Sequence, residues 1–144
     1  MPAPYARSSP SSYMTPNSSV NQNTSAIAWT AASVSTRVET DAALQTIADV
    51  FWFTLEFGVM YEESELRAYG AGILSSYGEI EEFRSMEIRP LDIAAMATVD
   101  YDITSYQPVL FGAASFGELE DVAGGFFASV DDDTPERLGI TVAV

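Results

Sequence analysis

Apolar residues recur at Leu44, Ile47, Ala48, Phe51, Trp52 and Leu55, a spacing of three and four that predicts an amphipathic helix. Thr40 or Asp41 is a good N-cap for it, because either side chain can accept from the free N–H groups of the first turn. The pattern runs to about Phe57, and Gly58 reads as the C-cap. Residues 61–65 then read as an acidic turn and 66–69 as a short strand. Gly70-Ala71-Gly72 is a flexible bend that leads into apolar Ile73-Leu74 and polar Ser75-Ser76. Residues 79–85 predict a short helical turn, Pro90 opens another over 91–97, and 108–111 read as a short strand. Ser115 followed by Glu118 is a capping-box pattern for a helix over 116–123, which Gly124-Gly125 should stop. Residues 128–130 and 139–144 are β-like on either side of a turn at 131–135, so they predict a terminal hairpin.

Residues 1–38 show no such periodicity. They are dominated by Ser, Pro, Asn and Thr, and the composition predicts a disordered head ahead of a folded unit over 39–144. The head is Ser-rich and acid-free, as transit peptides are, but holds only Arg7 and Arg37. Asn17-Ser18-Ser19 and Asn23-Thr24-Ser25 match the glycosylation sequon, yet no apolar signal core precedes them. The remaining readings are a solvated tail and a coding artefact.

Composition narrows the chemistry sharply. The 144 residues carry 47% apolar side chains, enough for a core, and no uninterrupted apolar run long enough for a membrane span. There are 21 acids, six arginines and no lysine, for a net charge of −15. That balance excludes nucleic acid and anionic membrane as partners, since both demand basic patches. Residues 1–38 carry +2, so 39–144 carry −17. A salt-adapted cytosolic protein has such a surface, and so does an acidic domain of no special habitat. The chain has no cysteine and no histidine. Disulfides, thiolate catalysis, a histidine general base and any histidine-ligated metal cannot be built from it alone.

Glu56 is the most unusual residue. It follows Trp52 by one turn and sits among Phe53, Leu55 and Phe57. A carboxylate so placed should be partly buried and should then need a cation, a metal or hydrogen-bond donors. The alternative is a glutamate on the solvent face of the helix. Gly70 and Gly72 fit a loop that passes close to a ligand, or an ordinary glycine turn. Ser75 and Ser76 by themselves are polar loop residues, and Glu79 reads as a surface acid or helix cap with no catalytic role. Asp131-Asp132-Asp133 lacks the ligand spacing of a calcium loop and reads as a solvated charge run.

Two strings carry a resemblance. Phe51-Trp52-Phe53-Thr54-Leu55-Glu56-Phe57-Gly58, and then Ala68-Tyr69-Gly70-Ala71-Gly72-Ile73-Leu74-Ser75-Ser76-Tyr77-Gly78-Glu79, closely resemble the signatures of the biopterin-dependent aromatic amino acid hydroxylases, in order and with the right gap. Ser105-Tyr106-Gln107-Pro108-Val109-Leu110-Phe111 and Ser115-Phe116 look like the strand and helix late in that family's catalytic domain. The resemblance covers about 40–130 and is densest over 51–79. It implies a mainly α fold with short strands, a partial hydroxylase catalytic fold with a disordered head and a C-terminal β-hairpin. It also implies Fe(II) held by two histidines and one glutamate, with tetrahydropterin supplying electrons for ring hydroxylation of an aromatic amino acid. On that resemblance Glu56 is the metal ligand, Trp52 and Phe57 line the iron pocket, and Gly72 and Ser75 line the substrate site. Phe51 stands where many members carry tyrosine.

The departures are as informative. The family's two iron histidines lie roughly 40 residues before the glutamate, which here is the Ser/Pro/Asn head around Ser11 and Pro16. The substrate-gripping arginine and most pterin contacts also lie upstream in the family. The chain therefore looks like the C-terminal part of a cytoplasmic phenylalanine 4-monooxygenase-like catalytic domain joined to an unrelated head, inactive alone because one carboxylate does not retain Fe(II). The alternative is a non-catalytic binding or regulatory scaffold that pairs with a full-length hydroxylase. Loss of upstream packing should expose Phe51, Trp52, Phe53 and Phe57, giving a loosely packed, self-associating product.

Overall fold

The computed structural model describes residues 33, 34, 36, 38–101 and 106–140, so most of the predicted head lies outside the described residues. Helix α1 spans Asp41–Phe51 and starts where the cap chemistry places it, with the Thr40 hydroxyl accepting from the Ala43 N–H at 3.2 Å. Its buried stripe is Ala43, Thr46, Ile47 and Val50, while Leu44 and Ala48 face solvent. The predicted stripe is thus rotated by about one residue, so that Ala43, Ile47 and Val50 face the core cluster.

The helix does not run on as α. Trp52–Glu56 is a π turn, with Phe57 N–H bonded to Trp52 O at 2.9 Å. Gly58 does end the helix, though with no left-handed cap: a Cβ there would strike Thr54 O and the Tyr69 hydroxyl. The chain then forms β1 (Val59–Glu62) and β2 (Glu65–Ala68), antiparallel about a tight turn at Glu63-Ser64. Both turn residues adopt positive φ, 53° and 67°, the geometry of a primed hairpin turn. The predicted turn at 61–65 was too wide, since neither residue is the glycine or asparagine that marks such turns.

The bend predicted at Gly70-Ala71-Gly72 is the start of a short helix α2 (Ala71–Leu74), followed by α3 (Tyr77–Glu82) and a 3-10 turn at Phe83–Ser85. Pro90 closes strand β3 (Glu87–Pro90), and α4 is Ile93–Met96. Strand β4 is Val109–Ala113. Ser115 caps α5 (Phe116–Leu119) as the capping-box pattern predicts, accepting from the Glu118 N–H at 3.1 Å. That run continues without a break through a π turn (Glu120–Gly124) into α6 (Gly125–Ser129). Gly124 and Gly125 keep helical φ of −62° and −61°, so they are no stop. The predicted C-terminal hairpin is absent among the described residues. Its first arm lies largely in α6, and α7 (Thr134–Arg137) begins within the expected turn. Residues 141–144, most of the second arm, lie outside the described residues. Apolar Phe126 and Phe127 are both buried, which favours a packed helix over an edge strand.

The four strands form one sheet in the order β2-β1-β4-β3, with β4 parallel to both β1 and β3. Alternation along the strands feeds two apolar layers. Met60, Phe111 and Ala113 join α1, α5 and α6 in one cluster, which also takes in Val34 and Val38. Val59, Ala68 and Leu110 join Ile73 and Phe83 in the other. Phe53 is 1% exposed and Phe57 8%, with Phe51 and Trp52 part-buried, so these rings are covered by the chain's own sheet and helices instead of lying open. Among the described residues no helix is long and apolar enough to cross a membrane.

Candidate functional site

The π turn decides which side chains meet. In an α-helix residues five apart point to different sides; the wider turn brings Trp52 and Phe57 together, with ring centroids 4.6 Å apart. Trp52 also stacks on Tyr101 at 4.8 Å and 14°. Its indole N–H donates to Gln107 Oε1 at 3.1 Å. Glu56 ends the turn, half-buried, and its carboxylate makes no hydrogen bond or ion pair among the described residues.

The glycine bend packs directly on this turn. A Cβ on Gly70 would strike the Glu56 carbonyl, and one on Gly72 would come within 2.8 Å of both the Glu56 carbonyl oxygen and the Phe57 ring. Only a residue without Cβ lets the two segments touch. The bend is held by Tyr69 and Gly70 N–H groups, both bonded to Gly58 O at 3.2 and 3.0 Å. Ser75 lies exposed at the end of α2 and donates to Gly72 O at 3.3 Å. Ser76 caps α3 through the Glu79 N–H at 3.3 Å.

Glu56, Trp52, Phe57 and Gly72 are therefore brought together, with Ser75 on the outer side of the same bend. Three participants escaped the sequence reading. Glu79 is buried at 5% exposure, not a surface acid; its Oε1 accepts the Gln107 N–H at 3.3 Å, and burial pushes its pKa up against that hydrogen bond. Gln107 is 1% exposed. Tyr101 links Trp52 to Asp49, to which its hydroxyl donates at 3.2 Å. Burial raises the Asp49 pKa, opposed by hydrogen bonds from Gln45 and Tyr101. The signals available were the acid closing the second motif and the Gln-Pro pair ahead of β4, but neither names its partner. A cleft of about 330 Å³ opens beside Asp49 and Tyr101, away from Glu56.

As a metal centre the set is incomplete. The chain has no histidine, and among the described residues no three His, Cys, Asp or Glu side chains are grouped to hold an ion.

Comparison with known proteins gives this geometry a context. The family model described as biopterin-dependent aromatic amino acid hydroxylase matches residues 25–133. The phenylalanine 3-hydroxylase of Streptomyces coeruleorubidus is 53% identical over 108 residues, covering 75% of this chain and 39% of that protein. The Chromobacterium violaceum phenylalanine hydroxylase structure with bound Fe(III) aligns with a TM-score of 0.65 at 28% identity, over 76% of this chain and 40% of that one. The iron- and phenylalanine-bound structure of that enzyme gives 0.55 at 32%, over 67% and 35%. The chain thus spans less than half the length of each.

Proposed function

Because the chain belongs to the biopterin-dependent aromatic amino acid hydroxylase family, we propose that residues 39–144 are the C-terminal part of a phenylalanine hydroxylase-like catalytic domain and that Glu56 is its carboxylate ligand for Fe(II). One observation carries this reading: a half-buried carboxylate with no protein partner among the described residues, at the end of the π turn whose Trp52 and Phe57 rings pack on each other. Water reaches this carboxylate, which is not among the fully buried groups left without a partner, so a cation can take the place of that water.

Gly72 and Ser75 form the side that takes the aromatic amino acid. The absence of a Cβ at Gly72 lets the bend seat directly on Glu56 and Phe57, and the Ser75 hydroxyl, spent on a long 3.3 Å bond, can turn to a substrate polar group. Tetrahydropterin supplies electrons when bound, and nothing in this chain is assigned to hold it. The residues present do not fit a whole iron site, so no step is routed through the metal. The two imidazoles come from outside these 144 residues, and the chain alone neither retains iron nor hydroxylates. A second reading, a non-catalytic scaffold that pairs with a full-length hydroxylase, draws on the exposed Leu74, Tyr77 and Tyr106 on the outer side of the bend.

Anaerobic Fe(II) loading, desalting and metal analysis test the assignment. The chain alone should keep substoichiometric iron and show no phenylalanine-dependent tetrahydropterin oxidation. Adding a histidine-bearing upstream segment from a relative should restore iron retention, and Glu56→Ala should remove what was restored. Stoichiometric iron on the chain alone, or restored binding indifferent to Glu56→Ala, overturns it.

A further inference from the structure

Glu79 is a buried acid that the proposed chemistry leaves unused. One carboxylate oxygen accepts the Gln107 N–H at 3.3 Å; the other, Oε2, is buried with no hydrogen-bond partner among the described residues. Holding a carboxyl group this way is costly, because an unmet buried acceptor forfeits its hydration. An apolar side chain of similar volume would occupy the position at less cost, so the acceptor itself is what the fold uses.

What it accepts from explains the use. Gln107 lies ahead of β4 and outside the β3–β4 ladder, which begins at Glu87 and Val109. A buried N–H at that position needs an acceptor from elsewhere in the fold, and the next residue, Pro108, has no N–H of its own to place. Glu79 supplies that acceptor. The Gln107 side chain then reaches the Trp52 indole, a donor with no accepting capacity, so the amide must present its oxygen. Trp52 in turn packs at 4.6 Å on Phe57, the ring that rests on Gly72. The chain of contacts runs from α3 through the start of β4 to the π turn.

We propose that Glu79 is a positioning residue: by anchoring the Gln107 backbone it aims the Gln107 amide at Trp52 and sets the orientation of the indole that packs on Phe57 as a wall of the π turn ending at Glu56. The importance of that wall rests on the reading of Glu56 as a ligand, whereas the hydrogen-bond chain stands without it.

Hydrogen exchange at the indole nitrogen reads the chain directly. A Trp29→Phe background leaves Trp52 as the single indole, since the sequence holds two tryptophans. Glu79→Gln keeps an acceptor at the same place, so the indole proton should exchange at the wild-type rate. Glu79→Met keeps the volume and removes the acceptor, so exchange should accelerate about tenfold, the loss of roughly one net hydrogen bond. Should Glu79→Met not fold, Glu79→Asp, which withdraws the acceptor by one methylene, carries the same expectation. Wild-type exchange in the acceptor-removing variant, or equal acceleration in Glu79→Gln, overturns the proposal. Neither readout involves metal or pterin, so failed iron retention with an intact exchange pattern would remove the role of Glu56 and leave that of Glu79.

Discussion

The two ends of the glutamate-bearing helix treat their polar groups in opposite ways. At the start of α1 the capping groups are closed within the chain. The Thr40 hydroxyl accepts from Ala43, and Asp132 Oδ1 accepts from the Glu39 and Thr40 N–H groups and the Thr40 hydroxyl at 2.8, 2.9 and 3.1 Å. A residue far along the sequence thus seals the first turn and ties the α7 region to it. At the other end, among the described residues, the Glu56 carboxylate meets only solvent, and Glu79 Oε2 and the buried Tyr69 hydroxyl, whose pKa burial pushes upward, have no partner. A closed end is accounted for by stability. The open one coincides with the region proposed above to take a ligand.

The largest effect should come from removing what both ends share. Phe53 packs edge-on against Tyr101 and Phe111 at 5.5 and 5.1 Å, so Phe53→Ala should cost about 3–5 kcal/mol in denaturant unfolding and lower the protection of both ends together. Loss confined to one end would show that the two are not a single cooperative unit. Thr40→Ala should cost about 1 kcal/mol, with amide exchange rising in the first turn of α1 and not at Trp52. Acid acts on the same end: Asp132 is held below the usual carboxylate range, first by the Thr40 and Glu39 N–H groups. Its contribution is complete above the ordinary aspartate pKa of about 4 and is lost as pH falls through the depressed folded value. Glu79 and Asp49, raised by burial, run the other way: protonation removes the cost of a buried charge, so their part of the fold gains stability as pH falls through their raised folded values. Acidification monitored by amide exchange should therefore loosen the Asp132 end, and do so less in Asp132→Asn, where Asp131, held low chiefly by Arg137, still titrates. The smallest effect belongs to Glu56→Gln, expected within about 0.5 kcal/mol of wild type because the carboxylate has no partner to lose. A large destabilisation would reveal a structural role and weaken its assignment as a ligand.

Local chemistry was readable in advance. Thr40 and Ser115 cap helices as expected, and the motifs over 51–79 placed Glu56, Trp52, Phe57 and Gly72 at one locus. The failures share a cause. Gly124-Gly125 looked like a stop, but burial of Ala123, Phe126 and Phe127 outweighs the glycine cost and carries the helix through. Residues 128–130 looked β-like, yet the helix that buries Phe126 and Phe127 runs on to Ser129. The exposure expected for Phe53 and Phe57 assumed that nothing in this chain could cover them, and the parallel pairing of β4 with both β1 and β3 does so.

From composition and motif alone come the family, the candidate carboxylate ligand and the want of any imidazole to accompany it, because these depend on which residues exist and in what order. The π turn that sets Trp52 against Phe57, the closure of α1 by Asp132, and the burial of Glu79 under Gln107 belong to the tertiary structure. The last two join residues far apart in sequence, and the first depends on a local widening of the helix, none of which leaves a periodic trace along the chain.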